Sequence, residues 1–277
     1  MFMKKSDPAP DPAPAAPASL ANPPGSVCVG LYSFPKCGNT WLRAIIAAAT
    51  KVPQGPGMLH KYVTDMHYSP VIANPWEYGG TDWYFYKSHH KAIVTEHKEQ
   101  VFRTDKVVYI FRNPLDVFLS YVNFVSKNVS GNQNKRQFDF EISRVEDLTP
   151  PQMEKLFSRW VAHATLFPQN KLYGSYFDNI QNFMAMRDRG EPVHVIRYED
   201  LKENFAETVG PMLDFIGIKD ADMDAVFADA DKRTAKDGKF FWKRASKNYE
   251  TYLSADQIAR FSMVYADELK ALGYNYD

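Results

Sequence analysis

A lysine and a row of small or polar residues separate an apolar run from a helix-patterned run in YSFPKCGNTWLRAII. Pro35 and Gly38 permit a sharp turn, and Lys36 supplies a positive charge. Asn39 and Thr40 add polar side chains beside the free amides of the helix that follows. Amides at such a junction attract anions. The turn lacks the GxxxxGK[ST] spacing of an ATP-binding P-loop, so it predicts phosphate or sulfate binding rather than kinase or ATPase chemistry.

Two further segments place charged or titratable side chains directly after apolar runs. Arg112 follows KVVYIF, and Ser120 lies about two helical turns further along on a similar face. A guanidinium at a strand end can hold a phosphate through two parallel hydrogen bonds. In FYKSHHK, Lys87 and His89 follow another apolar run. A neutral imidazole near pH 7 suits proton abstraction from a hydroxyl or an amine, so His89 is the candidate base.

The elements that must position these residues are apolar β-rich runs that alternate with helical patterns. The pairs are VCVGLYS with WLRAIIAAAT, WYFYKS with AIVTEHKEQVF, KVVYIF with LDVFLSYVNFV, and PVHVIRY with the stretch 201–216. This alternation predicts an α/β fold, a single domain with a central parallel β-sheet flanked by helices. Ligands of such sheets bind beyond the carboxyl ends of the strands. The turns after Ser33, Tyr86, Phe111 and Ile196 are therefore expected on one rim.

The remaining segments set the predicted boundaries. Residues 1–25 are rich in proline and alanine and are expected to form a disordered or polyproline-like tail, which leaves 26–277 as the folded domain. Residues 52–83 and 126–151 interrupt the alternation and are interpreted as long loops of the kind that bind ligands or form lids. The last third, 220–273, has a mostly helical pattern.

Composition excludes several classes of protein. The chain has 277 residues, with 33 Lys+Arg balancing 33 Asp+Glu, which argues against nucleic acid or an acidic membrane as partner. It has no run of about 18 apolar residues to span a bilayer and no apolar stretch behind its basic start, so neither a membrane span nor a signal peptide is expected. Cys28 and Cys37 are poorly placed for a disulfide, which favours a reducing cytoplasm. The oligomeric state stays open.

The motifs resemble those of one family. PKCGNTW resembles the PKSGTTW-type loop of sulfotransferases that use 3′-phosphoadenosine 5′-phosphosulfate (PAPS). VYIFRNPLDVFLS is similar to the family segment in which an arginine and a serine bind the 3′-phosphate, and YGSYFDNI and VIRYEDL resemble two further motifs. FFWKRASKNYETYLS aligns with FFRKGKVGDWKNYLS, although Trp242 and Arg244 replace the family's arginine and glycine and only Lys243 is retained. The resemblance runs from about Val27 to Tyr274 in family order.

The resemblance implies a P-loop-kinase-like sulfotransferase fold, PAPS as co-substrate and 3′,5′-ADP as product. It implies in-line displacement at sulfur, with His89 as the base and Lys36 and Lys87 neutralising the leaving group. Fixed lysines and helix amides take the place of a metal ion in this scheme, and no DxD or His/Cys cluster suggests one. The implied nucleotide-binding residues are Lys36, Cys37, Gly38, Asn39, Thr40, Trp41, Arg112, Ser120, Tyr198, Lys243 and Arg244.

These motifs do not identify the acceptor. Residues 60–86 are dense in aromatic and acidic side chains, which suggests a small acceptor with a flat ring or a positive charge, held by stacking and cation–π contact.

Two other functions stay open. Cys37 and Arg43 have the Cys-x5-Arg spacing of thiolate phosphatases, although Trp41 and Leu42 would place core residues in the phosphate loop. The chain could also be a catalytically inactive nucleotide-binding module.

Overall fold

The computed structural model describes residues 22–69, 74–98, 100–128, 138–142, 144–235 and 245–276. Five parallel strands form its main sheet, in the order β2-β4-β1-β7-β8, and the short β3 pairs antiparallel with β4. A separate hairpin consists of β5 and β6. The strands are β1 (Val27–Tyr32), β2 (Val63–Asp65), β3 (Trp76–Tyr78), β4 (Thr81–Ser88), β5 (Glu96–His97), β6 (Gln100–Val101), β7 (Lys106–Phe111) and β8 (Val193–Arg197).

Helices flank the sheet, as the alternating pattern predicts. They are α1 (Asn39–Ala49), α2 (Met58–Tyr62), α3 (Pro114–Asn128), α4 (Pro150–His163), α5 (Tyr176–Asp188), α6 (Tyr198–Glu203), α7 (Phe205–Ile216), α8 (Met223–Thr234), α9 (Tyr249–Tyr252), α10 (Ala255–Val264) and α11 (Ala266–Ala271), with a 3₁₀ turn at Val145–Asp147. Among the described residues, no helix is both long and apolar enough to cross a bilayer.

The central strands are buried on both faces because their side chains alternate between two apolar layers. Val29 and Leu31 of β1 point into a core shared with α1 and α7, whereas Cys28 and Tyr32 point into a core shared with α5. Both cysteines are buried, and neither forms a disulfide. Since the five parallel strands run the same way, their carboxyl ends lie along one rim, which confirms the predicted convergence of the turns after β1, β4, β7 and β8.

Several sequence-based assignments were wrong in detail. Residues 92–102, predicted as a helix, contain the β5–β6 hairpin, which Phe102 helps close by donating its amide to the Thr95 carbonyl (2.9 Å). β-branched residues in this segment favour extended backbone. The predicted loop 52–83 contains α2, β2 and β3, and the stretch 201–216 divides into α6 and α7. Within the predicted tail, the buried side chain of Asn22 exchanges two hydrogen bonds with the Arg103 backbone; residues 1–21 lie outside the described residues.

Candidate active site

A cavity of ≈ 290 Å³ lies at the carboxyl ends of the parallel strands. It brings together residues from four separate turns that the sequence predicted to converge. The predicted site residues that line it are Lys36, Gly38, Asn39, Thr40, Lys87, His89, Arg112, Ser120 and Tyr198. A cavity that gathers lysine, arginine and histidine side chains in this way suits an anionic ligand.

The turn between β1 and α1 is shaped for close approach of an anion. Lys36 adopts a left-handed backbone conformation (φ 74°), as does Gly38 (φ 102°). A methyl group at Gly38 would lie 2.5 Å from the ring of Tyr198, so this glycine is required by both its backbone and its neighbour. α1 starts at the next residue without a side-chain cap. Its first amides are therefore available to a bound phosphate or sulfate.

Asn39 ties the start of α1 to the end of β1. Its buried side-chain amide donates to the Leu31 carbonyl (3.0 Å) and to the Ser33 hydroxyl (3.1 Å). Ser33 in turn contacts the imidazole of His89, at 3.3 Å from its hydroxyl oxygen to Nδ1. The anion-binding turn and the candidate base are thus joined through two side chains, which limits how far either can move alone.

Arg112 is held at the end of β7 by groups from several elements. Its Nη2 donates to the Ala245 carbonyl (2.9 Å) and lies 3.7 Å from Asp116. The guanidinium sits 4.6 Å from the centre of the Tyr198 ring, in cation–π geometry. Its Nε is buried and has no partner among the described residues. Arg112 lines the cavity, and a guanidinium in this position fits a phosphate group.

A second layer of contacts braces these strand ends, and it comes from the YGSYFDNI segment. The Tyr176 hydroxyl donates to the Arg112 carbonyl (2.6 Å). Asn179 accepts a hydrogen bond from the Tyr109 hydroxyl (2.7 Å) and donates to the carbonyls of His89 (3.0 Å) and Tyr173 (2.8 Å). This motif therefore fixes the backbone of both the candidate base and the guanidinium, and its first residue, Tyr173, also lines the cavity.

The hydrogen bonds of His89 define its tautomer. Nδ1 lies 2.8 Å from the Ser33 carbonyl oxygen, which can only accept, so Nδ1 carries the hydrogen. Nε2 then has a free lone pair. Burial, reinforced by the positive charge of Lys87, holds the pKa of His89 well below its usual 6.5. The imidazole is therefore neutral at pH 7 and able to accept a proton at Nε2.

Sequence reasoning missed the residues that β2 and the loops contribute. Asp65 accepts a hydrogen bond from Lys87 Nζ (3.0 Å) in a buried ion pair, with Arg43 4.0 Å away. The His67 ring stacks on His89 with ring centres 5.4 Å apart, and the Tyr173 hydroxyl lies 3.1 Å from His67 Nε2. β2 has only three residues, too few for a periodic signal, and no motif marks His67. Tyr173 opens the YGSYFDNI motif, but the motif gives no indication of its contact with His67.

The remaining predicted nucleotide-binding residues lie outside the cavity or outside the described residues. Cys37 is fully buried in the core, so only its backbone could face a ligand. Trp41 packs edge-on against Tyr198 with ring centres 6.0 Å apart, and it does not line the cavity. Lys243 and Arg244 lie outside the described residues.

The geometry contradicts the phosphatase interpretation. Burial raises the pKa of the Cys37 thiol above its usual 9.0, which suppresses the thiolate that a nucleophile requires. Arg43 points away from the turn and donates to the Val63 carbonyl (2.8 Å). The two residues of the Cys-x5-Arg pattern therefore do not surround one phosphate.

The aromatic residues of segment 60–86 do not form the predicted acceptor wall. Trp83, Tyr84, Phe85 and Tyr86 are buried in β4, and of the segment's aromatic and acidic residues only Asp65 and Tyr68 line the cavity. Its other aromatic walls come from α3 and the loop before α5, as Tyr121, Phe124 and Tyr173. The described residues hold no group of three or more His, Cys, Asp or Glu side chains that could bind a metal ion.

Comparison with known proteins identifies the class. Residues 29–273 match the model of the sulfotransferase domain family, and the chain belongs to that family. The 3-alpha-hydroxysteroid sulfotransferase of Cavia porcellus is 28% identical over 192 residues, covering 68% of this chain and 58% of that protein. Cytosolic sulfotransferase 6 of Arabidopsis thaliana is 26% identical over 209 residues, covering 67% and 54%. The chain thus spans little more than half the length of these two relatives.

Solved structures show the same fold at low identity. Mouse sulfotransferase SULT7A1 complexed with PAP superposes with a TM-score of 0.56 at 18% identity, covering 92% of this chain and 87% of the other. Retinol dehydratase in complex with retinol and PAP gives a TM-score of 0.54 at 12% identity, covering 92% and 84%. At such identities the likeness establishes the fold, and the site rests on the residues themselves.

Proposed function

We propose that the protein transfers the sulfuryl group of PAPS to a hydroxyl or amine of a small acceptor and releases 3′,5′-ADP. The observation that carries the proposal is the convergence of Lys36, Lys87, His89 and Arg112 on one cavity, with His89 fixed as the tautomer that can accept a proton. Membership of the sulfotransferase family supports the same reaction.

The described residues fit the nucleotide. Arg112 and Ser120, which both line the cavity, would hold the 3′-phosphate, and the Tyr198 ring would lie beside the adenine. Lys36 and the first turn of α1, which has no side-chain cap, would hold the 5′-phosphosulfate. The co-substrate supplies an activated sulfuryl group when bound. Relatives crystallised with PAP support this assignment.

The chain's own residues then have separable roles. His89 accepts the acceptor proton at Nε2 while Nδ1 keeps its hydrogen on the Ser33 carbonyl. Lys36 and Lys87 provide positive charge where negative charge develops on the leaving oxygen. Removing one such charged donor typically costs about 3–4 kcal/mol in the transition state, or about a hundredfold or more in rate. The scheme requires no metal ion from the described residues.

The charges around the base favour an uncharged acceptor over a cationic one. The cavity's one carboxylate among the described residues, Asp65, is already paired with Lys87 and lies near Arg43. A cation bound beside His89 would face Lys36 and Lys87 without a free counter-charge. The aromatic walls at Tyr121, Phe124 and Tyr173 suit a flat ring bearing the hydroxyl.

A transfer assay with labelled PAPS against phenols, alcohols, amines and guanidinium compounds tests the proposal. Labelled product in any acceptor class supports it and names the acceptor. Binding of 3′,5′-ADP by calorimetry without transfer to any acceptor would instead favour the inactive nucleotide-binding module. Absence of 3′,5′-ADP binding would refute both.

A further inference from the structure

Two charged side chains lie next to each other on the sheet at the inner wall of the cavity. In the parallel pairing of β2 with β4, Asp65 is the register partner of Lys87. Both residues are buried, with 7% of each exposed, and Lys87 Nζ lies 3.0 Å from Asp65 Oδ2. Adjacent residues in register project to the same face of a sheet, so the pair is built into the fold rather than formed by flexible loops.

We propose that Asp65 is a positioning residue that acts through Lys87, keeping the Lys87 ammonium charged and directed into the cavity. This inference rests on the proposed function, because Lys87 matters to the chemistry only if an anionic leaving group binds beside it. Asp65 itself touches neither the nucleotide nor the acceptor in this scheme.

The surroundings explain why Lys87 needs a partner. The pKa of Lys87 is about 8 instead of its usual 10.5, because burial and Arg43 lower it and Asp65 opposes them only in part. The charged and titratable groups that face the pair are Arg43 from α1, His60 from α2, His67 after β2, His89 after β4, Lys36 from the turn after β1 and Tyr173 before α5. Burial raises the pKa of Tyr173 to about 12, so its hydroxyl is uncharged, and the other groups are basic. Among these described residues Asp65 therefore supplies the only negative charge beside Lys87, and its removal would lower the pKa of Lys87 further.

The charge on Lys87 also affects the base. It is one of the causes that hold the pKa of His89 low and the imidazole neutral. A charged Lys87 thus has two effects on the proposed transfer. It attracts the leaving oxygen, and it keeps His89 neutral and able to accept a proton. The wild-type protein should lose this advantage as the pH rises through about 8.

Calorimetric titration with 3′,5′-ADP between pH 7 and 9.5 tests the inference without knowledge of the acceptor. For the wild type we expect the Kd to rise by up to about tenfold from pH 7 to pH 9, as Lys87 loses its proton. Asp65→Asn should show the same loss at a lower pH, with its weakening already evident at pH 7 to 8. Lys87→Arg should flatten the profile because a guanidinium stays charged throughout this range.

The double variant Asp65→Asn/Lys87→Arg separates positioning from a structural role. If Asp65 acts through the lysine proton, the double variant binds 3′,5′-ADP independently of pH and more tightly at pH 9 than Asp65→Asn. An Asp65→Asn profile parallel to that of the wild type would overturn the inference while leaving the proposed function intact. If Asp65→Asn does not fold, Lys87→Arg provides the test: a Kd for 3′,5′-ADP that depends on pH as strongly in this variant as in the wild type would also overturn the inference. Failure of the wild type to bind 3′,5′-ADP would refute the proposed function instead.

Discussion

Replacing Arg112 with lysine tests whether this residue recognises the 3′-phosphate of the proposed nucleotide. The substitution keeps a positive charge beside buried Asp116, so the fold is not left with an unpaired carboxylate. It removes the planar fork and with it the free Nε donor and the stacking on Tyr198. A lysine ammonium is a single point of charge and cannot bind two phosphate oxygens in parallel.

The expected loss can be worked out from the contacts. One hydrogen bond to a charged group contributes about 1.5–3 kcal/mol, which corresponds to about 10- to 150-fold in Kd. Since Nη2 of Arg112 is already committed to the Ala245 carbonyl, the ligand relies on the remaining donors of the fork. We therefore expect Arg112→Lys to weaken 3′,5′-ADP binding by a factor in this range.

Calorimetry with two nucleotides provides the assay. 5′-AMP lacks the 3′-phosphate, so Arg112→Lys should leave its Kd within a few-fold of the wild type while weakening 3′,5′-ADP strongly. Arg103→Lys is the matched control, because Arg103 is half exposed and paired with Asp105 away from the cavity. Equal losses of affinity for 3′,5′-ADP and 5′-AMP would refute the reasoning, since they would show that Arg112 does not recognise the 3′-phosphate.

Four further outcomes follow from the same geometry. Lys36→Ala should lower kcat by about a hundredfold or more with an unchanged thermal midpoint; retention of full turnover would contradict its role. Cys37→Ser should keep kcat within a few-fold of the wild-type value, since the thiol is buried and is not a nucleophile; loss of all activity would instead support a mechanism with a Cys37 thiolate. Gly38→Ala should lower the free energy of unfolding by about 2–5 kcal/mol, measured in urea, through the left-handed backbone and the clash with Tyr198; an unchanged midpoint would contradict the clash. Because the pKa of His89 is lower in the folded than in the unfolded protein, stability should fall as the pH drops below 6.5, and His89→Asn should reduce this dependence; identical stability profiles would contradict the lowered pKa.

The sequence predicted the sheet and most of the rim because both depend on strong local signals. KVVYIF and VCVGLYS are continuous apolar runs bounded by turns, and they form the central strands β7 and β1. Parallel strands share one carboxyl edge, which is why Lys36, His89 and Arg112 could be placed together although they are far apart in sequence.

The rest of the site depends on contacts that no local pattern encodes. Asp65 belongs to a three-residue strand inside a segment whose prolines, glycines and aromatics indicate a loop. His67 and Tyr173 meet only because separate turns fold over the same cavity. Asn179 was part of a noted motif, but its partners at Tyr109 and His89 become evident only in three dimensions.

The Asn179 side chain links Tyr173 in the wall of the cavity to His89, the candidate catalytic base. Asn179 holds the carbonyls of His89 and Tyr173 together, with its own oxygen fixed by a buried tyrosine hydroxyl. An acceptor that fits poorly and displaces Tyr173 would therefore also shift the His89 imidazole away from the position in which it accepts a proton. Under the proposed function, poor acceptors should be distinguished by slow turnover after they bind, so selectivity would be greater in kcat than in KM.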